Sequence, residues 1–296
     1  MTLLLFTPVT VHADMGPKPS VRVLFENMGD ELCYGTLLSE RESTGPARVW
    51  DGDEEEAMHN GNERYSWAEF DYETWKAFVE YEDADGYFFL QRGWVVSETK
   101  NIEWIYYPPS RFKILLYYPE TGTFVSSGIY ERYAFDTYYT VDMDGVNMNS
   151  VEYDEVLSTD ERIEAYRSYN YRMEVISLVV RILITIAIEM VLALLFGFRK
   201  KKQLLLLIGV NTATQVVLNV LLNVINYKSG HWAFVVYYVL FELIVFVLEA
   251  VIYCALMNRF SEKTKAKWFY WVYALVANAV SFVAGIYIAQ VLPGIF

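Results

Sequence analysis

The sequence has few residues of the kinds that catalyse reactions or hold metals. Among its 296 residues are two cysteines and three histidines, too few for a disulfide framework or a Cys/His metal centre. It contains no G-x-G-x-x-G segment after a strand, no P-loop, no HExxH and no nucleophile-elbow motif. We therefore expect a protein that is not an enzyme and that uses no cofactor.

Basic residues are scarce in the first half of the chain. Residues 14–172 carry 32 acidic and 14 basic side chains, whereas residues 173–296 carry 5 acidic and 10 basic. An acidic surface repels the phosphates of nucleic acid, so we expect no nucleic-acid partner. The acidic excess suits cationic ligands or metal ions; alternatively, it keeps an exported, tyrosine-rich domain soluble.

Residues 1–13 resemble a signal peptide. They contain the short apolar stretch LLLFTPVTV and end in Val11-His12-Ala13, the small-residue pattern of a cleavage site. The stretch is too short to span a bilayer. Because the usual basic n-region is missing, we expect the signal peptide to be truncated and the mature domain to begin at Asp14.

Residues 14–157 have the pattern of an acidic, β-rich extracytoplasmic domain. Turn sequences such as YYPPS, PETG and MDG separate short apolar and aromatic runs, which is typical of an antiparallel sandwich. The runs predicted to form strands are VRVLF, CYGTLLS, GYFFLQ, FKILLYY, TFVSSGIY and DTYYTVDM. One appended helix is predicted over residues 66–80, because Ser66 and Glu69 have the spacing of a capping box.

A second capping box, Ser158 with Glu161, follows the β-rich domain. It predicts a helical connector over residues 158–172 that continues into the first membrane segment. Such a continuous helix would couple the domain mechanically to the membrane part.

Two acidic turns of the β-rich domain are weak metal-binding candidates. Asp83 and Asp85 lie in one Asp-x-Asp-Gly turn, and Asp142 and Asp144 lie in another. Both resemble fragments of a calcium loop, but neither has the full ligand set of an EF-hand. Asp-Gly turns that join strands are the simpler explanation.

The second half of the chain has the apolar segments of a membrane protein. About 20 helical residues cover the ~30 Å of hydrocarbon in a bilayer. Four segments are long enough, at about 175–198, 204–225, 232–257 and 268–292. The sequence therefore predicts a membrane α-helical bundle of four transmembrane helices over residues 173–296, with the lipid bilayer as its partner.

The loops between these segments predict their orientation. Basic residues concentrate in the links at 199–203 and 258–267, and the positive-inside rule puts such loops in the cytoplasm. The N-terminal domain and the C-terminus are then both outside, so we expect a multi-pass protein of the cell membrane.

Polar residues recur within the apolar segments. An ionisable group in hydrocarbon costs several kcal/mol unless it is paired or faces a polar interior. The polar residues recur at spacings of four or seven, which predicts that they face the inside of the bundle. An intramembrane cluster near one depth comprises Glu189, Asn211, Gln215, Glu249 and Asn278, and an outer layer comprises Arg181, Asn219 and Glu242.

Two interpretations of these polar residues are open. In the first, Glu189 and Glu249 share a proton or a cation, the amides act as ligands, and Arg181 pairs with Glu242. In the second, acids and amides hold the helices together by hydrogen bonds, since no hydrophobic effect drives helix association in lipid.

Several strings resemble an uncharacterised family of Gram-positive bacterial membrane proteins with an exported N-terminal domain and four transmembrane helices. These strings are DMGPKPS, YGTLLSERESTGP, YYPPSRFKILLYYPETGTF, LITIAIE and NTATQ. The resemblance spans most of the chain. It implies a topology and a host type, and no functional residues.

Three hypotheses for function follow. The first is a cell-envelope protein whose exported domain binds a ligand or partner and whose four-helix bundle anchors that domain or relays its state. The alternative is a small ion- or proton-coupled transport component that uses buried Glu189 and Glu249. Because four helices are few for a transporter, it would act as a homo-oligomer. The third is an accessory subunit with a membrane protein partner.

Overall fold

The computed structural model describes residues 17–52, 71–146 and 163–291. Within these ranges, a mainly β N-terminal region precedes a helical membrane part. The strands are β1 Ser20–Glu26, β2 Tyr34–Ser39, β3 Trp94–Val95, β4 Asn101–Trp104, β5 Arg111–Tyr118, β6 Thr123–Ser126, β7 Tyr130–Glu131, β8 Asp136–Asp142 and β9 Ala165–Arg167. The helices are α1 Tyr72–Glu80, α2 Val96–Thr99, α3 Tyr171–Leu195, α4 Lys201–Leu256 and α5 Lys267–Val291. The signal-peptide prediction and both capping boxes lie outside the described residues.

The strands form two sheets. The first has the order β4-β1-β8-β9, and the second has the order β3-β2-β5-β6, with β7 also pairing with β5. The pairs are antiparallel except β1 and β8, which run parallel with Val21 opposite Thr137. The antiparallel prediction is therefore wrong for this pair. Most of the domain separates the two strands in sequence, and a connection of that length allows them to run in one direction.

The two sheets share one apolar core. Val23 and Trp104 of the first sheet are fully buried in the same cluster as Leu37, Ile114 and Leu116 of the second. The alternate positions of β5 face this core, as the two-residue period of a strand requires. The described part of the domain thus has the layered packing of a sandwich.

Helix α1 covers the opposite face of the second sheet. Its fully buried Phe78 lies in a cluster with Leu38 and Leu115, so this sheet is buried on both faces. The helix begins at Tyr72, where the Asp71 side chain accepts a hydrogen bond from the Thr74 N–H at 2.8 Å. It therefore starts later than predicted, because Asp71 provides the N-cap.

One predicted strand is not a strand in the structure. The GYFFLQ segment makes a single bridge, between Phe88 and Ser39. Its apolar side chains, such as Phe89 and Leu90, are buried without a ladder of backbone pairs. Burial rather than strand pairing explains its apolar sequence.

The predicted helical connector is wrong over its described residues, from 163 onward. Strand β9 pairs antiparallel with β8, with Tyr166 opposite Thr140. Helix α3 begins only at Tyr171, and its N-cap Asn170 accepts a hydrogen bond from the Met173 N–H. The residues before this cap are not part of the helix, and the backbone of β9 pairs with β8 instead. A strand and a short link therefore join the domain to the membrane part.

The three long helices α3, α4 and α5 are long and apolar enough to cross a membrane. Their surfaces carry many exposed large apolar side chains. Leu183, Val191 and Leu195 on α3 and Val217 and Leu243 on α4 are examples. A surface of this kind fits a hydrocarbon environment rather than water.

Helix α4 has 56 residues and is broken at Gly230. A straight helix of that length would measure about 84 Å. At Gly230 the backbone adopts φ 80° and ψ 175°, a region that essentially only glycine occupies. The Tyr253 hydroxyl donates to Asn211 Oδ1 at 2.7 Å, so the first arm, 201–229, lies beside the second arm, 231–256.

The described structure therefore has three long helices where the sequence predicted four. Residues 226–229, predicted to be a loop, remain helical, and Gly230 alone makes the break between the arms. A single glycine can turn the chain without a loop because it adopts a positive φ without steric cost.

The two ends of the helical part differ. At one end, which we call the domain end, the Phe135 N–H donates to the Tyr227 carbonyl at 2.9 Å. At the other, the basic end, Lys265 Nζ donates to the Phe196 carbonyl at 2.8 Å and Lys200 forms an ion pair with Glu262. Both basic links thus lie together, away from the N-terminal domain.

The break in α4 generates a prediction about stability. Gly230→Ala should lower the free energy of unfolding by about 1–3 kcal/mol, because the backbone conformation is strained for alanine. A Cβ there would also lie 2.5 Å from the Phe135 ring. Unfolding of the full-length protein in nanodiscs, followed by tryptophan fluorescence, measures this effect.

Gly209→Ala is the matched control. Gly209 lies in the first arm of α4, and a Cβ there would have no heavy atom within 4 Å. Alanine should stabilise the helix at this position by up to about 1 kcal/mol. Equal effects of the two substitutions would contradict the role assigned to Gly230.

Candidate functional site

Glu249 lies at the centre of the polar groups inside the helical part and is fully buried. Its Oε1 accepts a hydrogen bond from Thr214 Oγ1 at 2.7 Å, and its Oε2 accepts one from Asn278 Nδ2 at 2.8 Å. These contacts join both arms of α4 to α5. Each carboxylate oxygen of Glu249 therefore has a donor.

Glu189 of α3 is also fully buried, but its carboxyl group has a different environment. Neither of its side-chain oxygens has a hydrogen-bond partner among the described residues. The Asn211 side chain faces this carboxyl group without meeting the full geometry of a hydrogen bond, and the carboxyl groups of Glu249 and Glu242 lie close enough to interact with it electrostatically. Burying an unpartnered charged carboxylate among other acids is costly, and a proton or a bound cation would lower that cost.

Asn211 links this acid pair to aromatic residues at the basic end. Its Oδ1 accepts the Tyr253 hydroxyl, while its Nδ2 has no hydrogen-bond partner among the described residues. The Tyr273 hydroxyl contacts the Glu189 backbone carbonyl at 3.3 Å. Both tyrosines are fully buried in the apolar cluster that closes the basic end.

A second polar level lies nearer the domain end. A small cavity of about 20 Å³ has residues from all three long helices in its wall: Arg181, Thr185, Gln215, Asn219, Tyr238, Glu242 and Ser281. That volume is enough for about one water molecule. Gln215, predicted to belong to the first cluster, lines this cavity, where Asn219 Nδ2 donates to its backbone carbonyl at 2.8 Å.

The predicted pairing of Arg181 with Glu242 stays a prediction. Arg181 donates to Asn223 Oδ1 at 3.1 Å, and its guanidinium group lies over the Phe234 ring. The Glu242 carboxyl group lies beside the Tyr238 hydroxyl. Both Arg181 and Glu242 line the small cavity.

The structure thus brings Glu189, Asn211, Glu249 and Asn278 together and puts Gln215, Asn219 and Glu242 at the second level. All seven side chains are buried. Sequence reasoning missed Thr214 and Tyr253, which directly contact the cluster. Helical spacing was the available signal, because Thr214 lies three residues after Asn211, and Tyr253 lies four after Glu249.

The weak metal candidates have other partners. Lys113 Nζ lies 2.6 Å from Asp83 Oδ1 and 2.9 Å from Asp85 Oδ2, while Asp83 Oδ2 accepts the backbone N–H of Asp85. Asp142 Oδ1 accepts bonds from Asn27 Nδ2 and the Asp144 N–H. These bonds hold turns, so the structure gives no support to a metal site at either pair.

The Lys113 contacts yield a second prediction. Lys113 and Asp83 are both almost completely buried. Removing one partner of a buried ion pair leaves an uncompensated charge, so Lys113→Met should destabilise the N-terminal domain by about 3 kcal/mol. Exposed Lys76, 3.7 Å from Glu80, is the matched control: Lys76→Met should change stability by less than about 0.5 kcal/mol.

The same pair predicts a pH dependence. Burial opposes the charge of Lys113, but hydrogen bonds to Asp83 and Asp85 outweigh it and raise the pKa of Lys113 above its ordinary value of 10.5. Its contribution to stability is therefore complete below that value and is lost as the pH rises through the folded-state pKa. Unfolding midpoints measured from neutral to alkaline pH should fall more steeply for wild type than for Lys113→Met; parallel curves would contradict the assignment.

Comparison with known proteins yields a likeness confined to the helical half. Residues 167–293 match a family described as TLC ATP/ADP transporter. The match contains α3, α4 and α5 and covers less than half of the chain. No curated protein matches the chain, and no solved structure does. The helical half is therefore similar to a transporter family.

Proposed function

We propose that the protein is a small membrane transport component, coupled to protons or cations through Glu189 and Glu249. The observation that carries the proposal is the Glu189 carboxyl group, which is fully buried beside Glu249 and has no hydrogen-bond partner on either oxygen among the described residues. Loading and release of a proton or cation at this pair is the coupling step. The proposal requires neither a cofactor nor a covalent step.

The contacts of the two acids favour transport over a purely structural role. A residue that holds helices together does so through hydrogen bonds, and Glu249 has such bonds on both oxygens. Glu189 has none among the described residues and so adds the cost of burial without helix association. Buried polar groups without hydrogen-bond partners are expected at functional sites, where a ligand or ion supplies the missing partner.

The family likeness supports the same proposal. The matched region contains all three long helices and every residue of the acid cluster. The family is described as an ATP/ADP transporter, a description that fits transport better than anchoring or relay. Because the match covers less than half of the chain, we carry over only the general role of transport. The transported solute is not inferred from the family.

We also propose four crossings of a cell membrane, with the two arms of α4 as the second and third. The domain end would be extracytoplasmic and the basic end cytoplasmic. The meeting of the links around Lys200 and Lys265 at one end supports this orientation, because positively charged loops favour the cytoplasm. A unit of four crossings is small, so we propose that a homo-oligomer forms the transport pathway.

Binding by the N-terminal domain is the second candidate function. The observation that favours it is the contact of Phe135 with Gly230 and Tyr227 at the break of α4. A ligand or partner protein that moved this part of the domain would act directly on the junction of the two arms. In this second function the helical part anchors the domain or relays its state.

Proton flux in liposomes tests the leading proposal. We expect the Glu189→Gln, Glu249→Gln double variant to reduce proton flux at least tenfold, because glutamine cannot exchange a proton at the buried pair. Purified protein is reconstituted with a trapped pH-sensitive dye, and flux is driven by a potassium diffusion potential. Thermal unfolding of both proteins establishes that each is folded.

Glu262→Gln is the matched control. Glu262 is exposed at the basic end, where it pairs with Lys200, so its loss removes one carboxylate without touching the cluster. Its flux should equal that of wild type. Absence of flux in wild type, or equal flux in wild type and the double variant, would refute the leading proposal and favour the binding role of the domain.

A further inference from the structure

The hydroxyl group of Thr214 lies within hydrogen-bond distance of three acceptors. Its Oγ1 is 2.7 Å from Glu249 Oε1, 3.1 Å from the Val210 backbone carbonyl and 3.2 Å from the Asn211 backbone carbonyl. A hydroxyl group carries one hydrogen and two lone pairs, so it makes one well-aligned donated bond at a time. Thr214 therefore has a choice of partner for its hydrogen.

The two backbone carbonyls belong to the turn of α4 that precedes Thr214. They lie three and four residues before it, and these are the usual acceptors for a threonine hydroxyl inside a helix. A carbonyl oxygen only accepts, whereas a carboxyl oxygen accepts when it is ionised and donates when it carries a proton. The hydroxyl hydrogen thus has a second place to point when Glu249 needs an acceptor instead of a donor.

The other oxygen of Glu249 faces a donor with a fixed role. Asn278 Nδ2 donates to Glu249 Oε2 at 2.8 Å and to the Ala274 backbone carbonyl at 3.0 Å. Turning the amide over would put its oxygen against the Ala274 carbonyl, so these two acceptors determine the orientation of the amide. Because Oε2 faces an N–H in either protonation state, Oε1 is the place for a proton.

Glu249 has no ion pair among the described residues, and acidic groups surround it. The titratable groups that interact with it electrostatically are Glu189 of α3, Glu242 and Tyr253 of its own arm and Tyr273 of α5. The first arm of α4 contributes Thr214 and no titratable group to this set. The hydrogen bonds from Asn278 and Thr214 are therefore the contacts that favour ionised Glu249.

From these contacts we propose that Thr214 is a positioning residue that hydrogen-bonds Glu249 in both protonation states, with the proton on Oε1. When Glu249 is ionised, the Thr214 hydroxyl donates to Oε1. When Oε1 carries a proton, that proton is donated to Thr214 Oγ1, and the hydroxyl hydrogen points to the Val210 carbonyl. Only a rotation of the O–H group separates the two arrangements, and no covalent bond of Thr214 breaks.

The inference rests on the proposed transport function and adds the atom of the acid pair at which a proton binds without loss of a hydrogen bond. Glu189 has no partner on either oxygen among the described residues and gains no such bond. Burial disfavours the ionised state of Glu249, and a stronger bond to that state offsets part of the cost. Both states therefore remain accessible for loading and release.

Infrared difference spectroscopy of the full-length protein in liposomes tests the inference. The carbonyl stretch of a protonated carboxyl group appears as the pH is lowered, and its absence from Glu249→Gln assigns the band to Glu249. Thr214→Val removes the hydroxyl group but keeps the shape of the side chain. Because a hydrogen bond to a charged group is stronger than one to a neutral group, this substitution should move the midpoint of the band to higher pH by about one unit.

Thr214→Ser and Thr212→Val are the matched variants. Serine retains a hydroxyl group and should restore a midpoint near that of wild type. Thr212 lies in the same arm of α4, and none of the described residues is a hydrogen-bond partner of its hydroxyl, so valine there should leave the midpoint unchanged. A Thr214→Val midpoint equal to that of Thr212→Val, or one that serine does not restore, would overturn the inference.

The position of the band tests which oxygen carries the proton. With the proton on Oε1, the carbonyl oxygen is Oε2, which accepts from Asn278. Asn278→Leu should therefore move the band to higher wavenumber, because the carbonyl loses its hydrogen bond, and Thr214→Val should move it less. The reverse order would assign the proton to Oε2 and refute the proposal.

This inference and the transport function fail in different ways. Proton flux that depends on Glu189 and Glu249, with a Thr214→Val midpoint equal to that of wild type, would keep transport and reject the role of Thr214. A Glu249 band that responds to Thr214 as described, without proton flux in wild type, would reject transport and keep the proton site. Absence of any pH-dependent band from Glu249 in wild type would overturn the inference.

Discussion

The arrangement inside the membrane part depends on the break of α4 at Gly230. Because this residue turns the chain, Thr214 of the first arm reaches Glu249 of the second, and Tyr253 reaches Asn211. Neither contact could form in a straight helix, in which these residues would lie more than 50 Å apart. The packing of Phe135 on the same glycine then fixes the N-terminal domain at that end. One backbone conformation thus positions the acid cluster, the small cavity and the domain.

The charges inside the bundle differ in how well their surroundings satisfy them. Glu249 has a donor for each oxygen, and these bonds join both arms of α4 to α5. Glu189 has no such donor among the described residues, which is why the transport proposal assigns the exchangeable proton or cation to it. Arg181 donates to Asn223 and lies over the Phe234 ring. The surroundings of the two acids therefore differ, although both side chains are fully buried.

Sequence reasoning predicted the mainly β region, the apolar helices and the spacing of the buried acids, because hydrophobic period and the cost of buried charge are local properties. It failed where distant pairing decides the outcome. The segment at Ala165 follows the predicted capping box at Ser158, but it pairs with β8 as a strand. Likewise, the sequence near Arg181 does not predict its hydrogen bond with Asn223, because that contact depends on how the first arm of α4 packs against α3.

The parallel pairing of β1 with β8 has a consequence for the order of assembly. The first strand of the domain must wait for a partner that is translated more than a hundred residues later, so the first sheet forms by a long-range encounter, which is slow. Strand β9 can join only after β8 is in place, and it is followed within a few residues by α3. The first sheet therefore cannot close completely until the residues just before the first long helix have been synthesised.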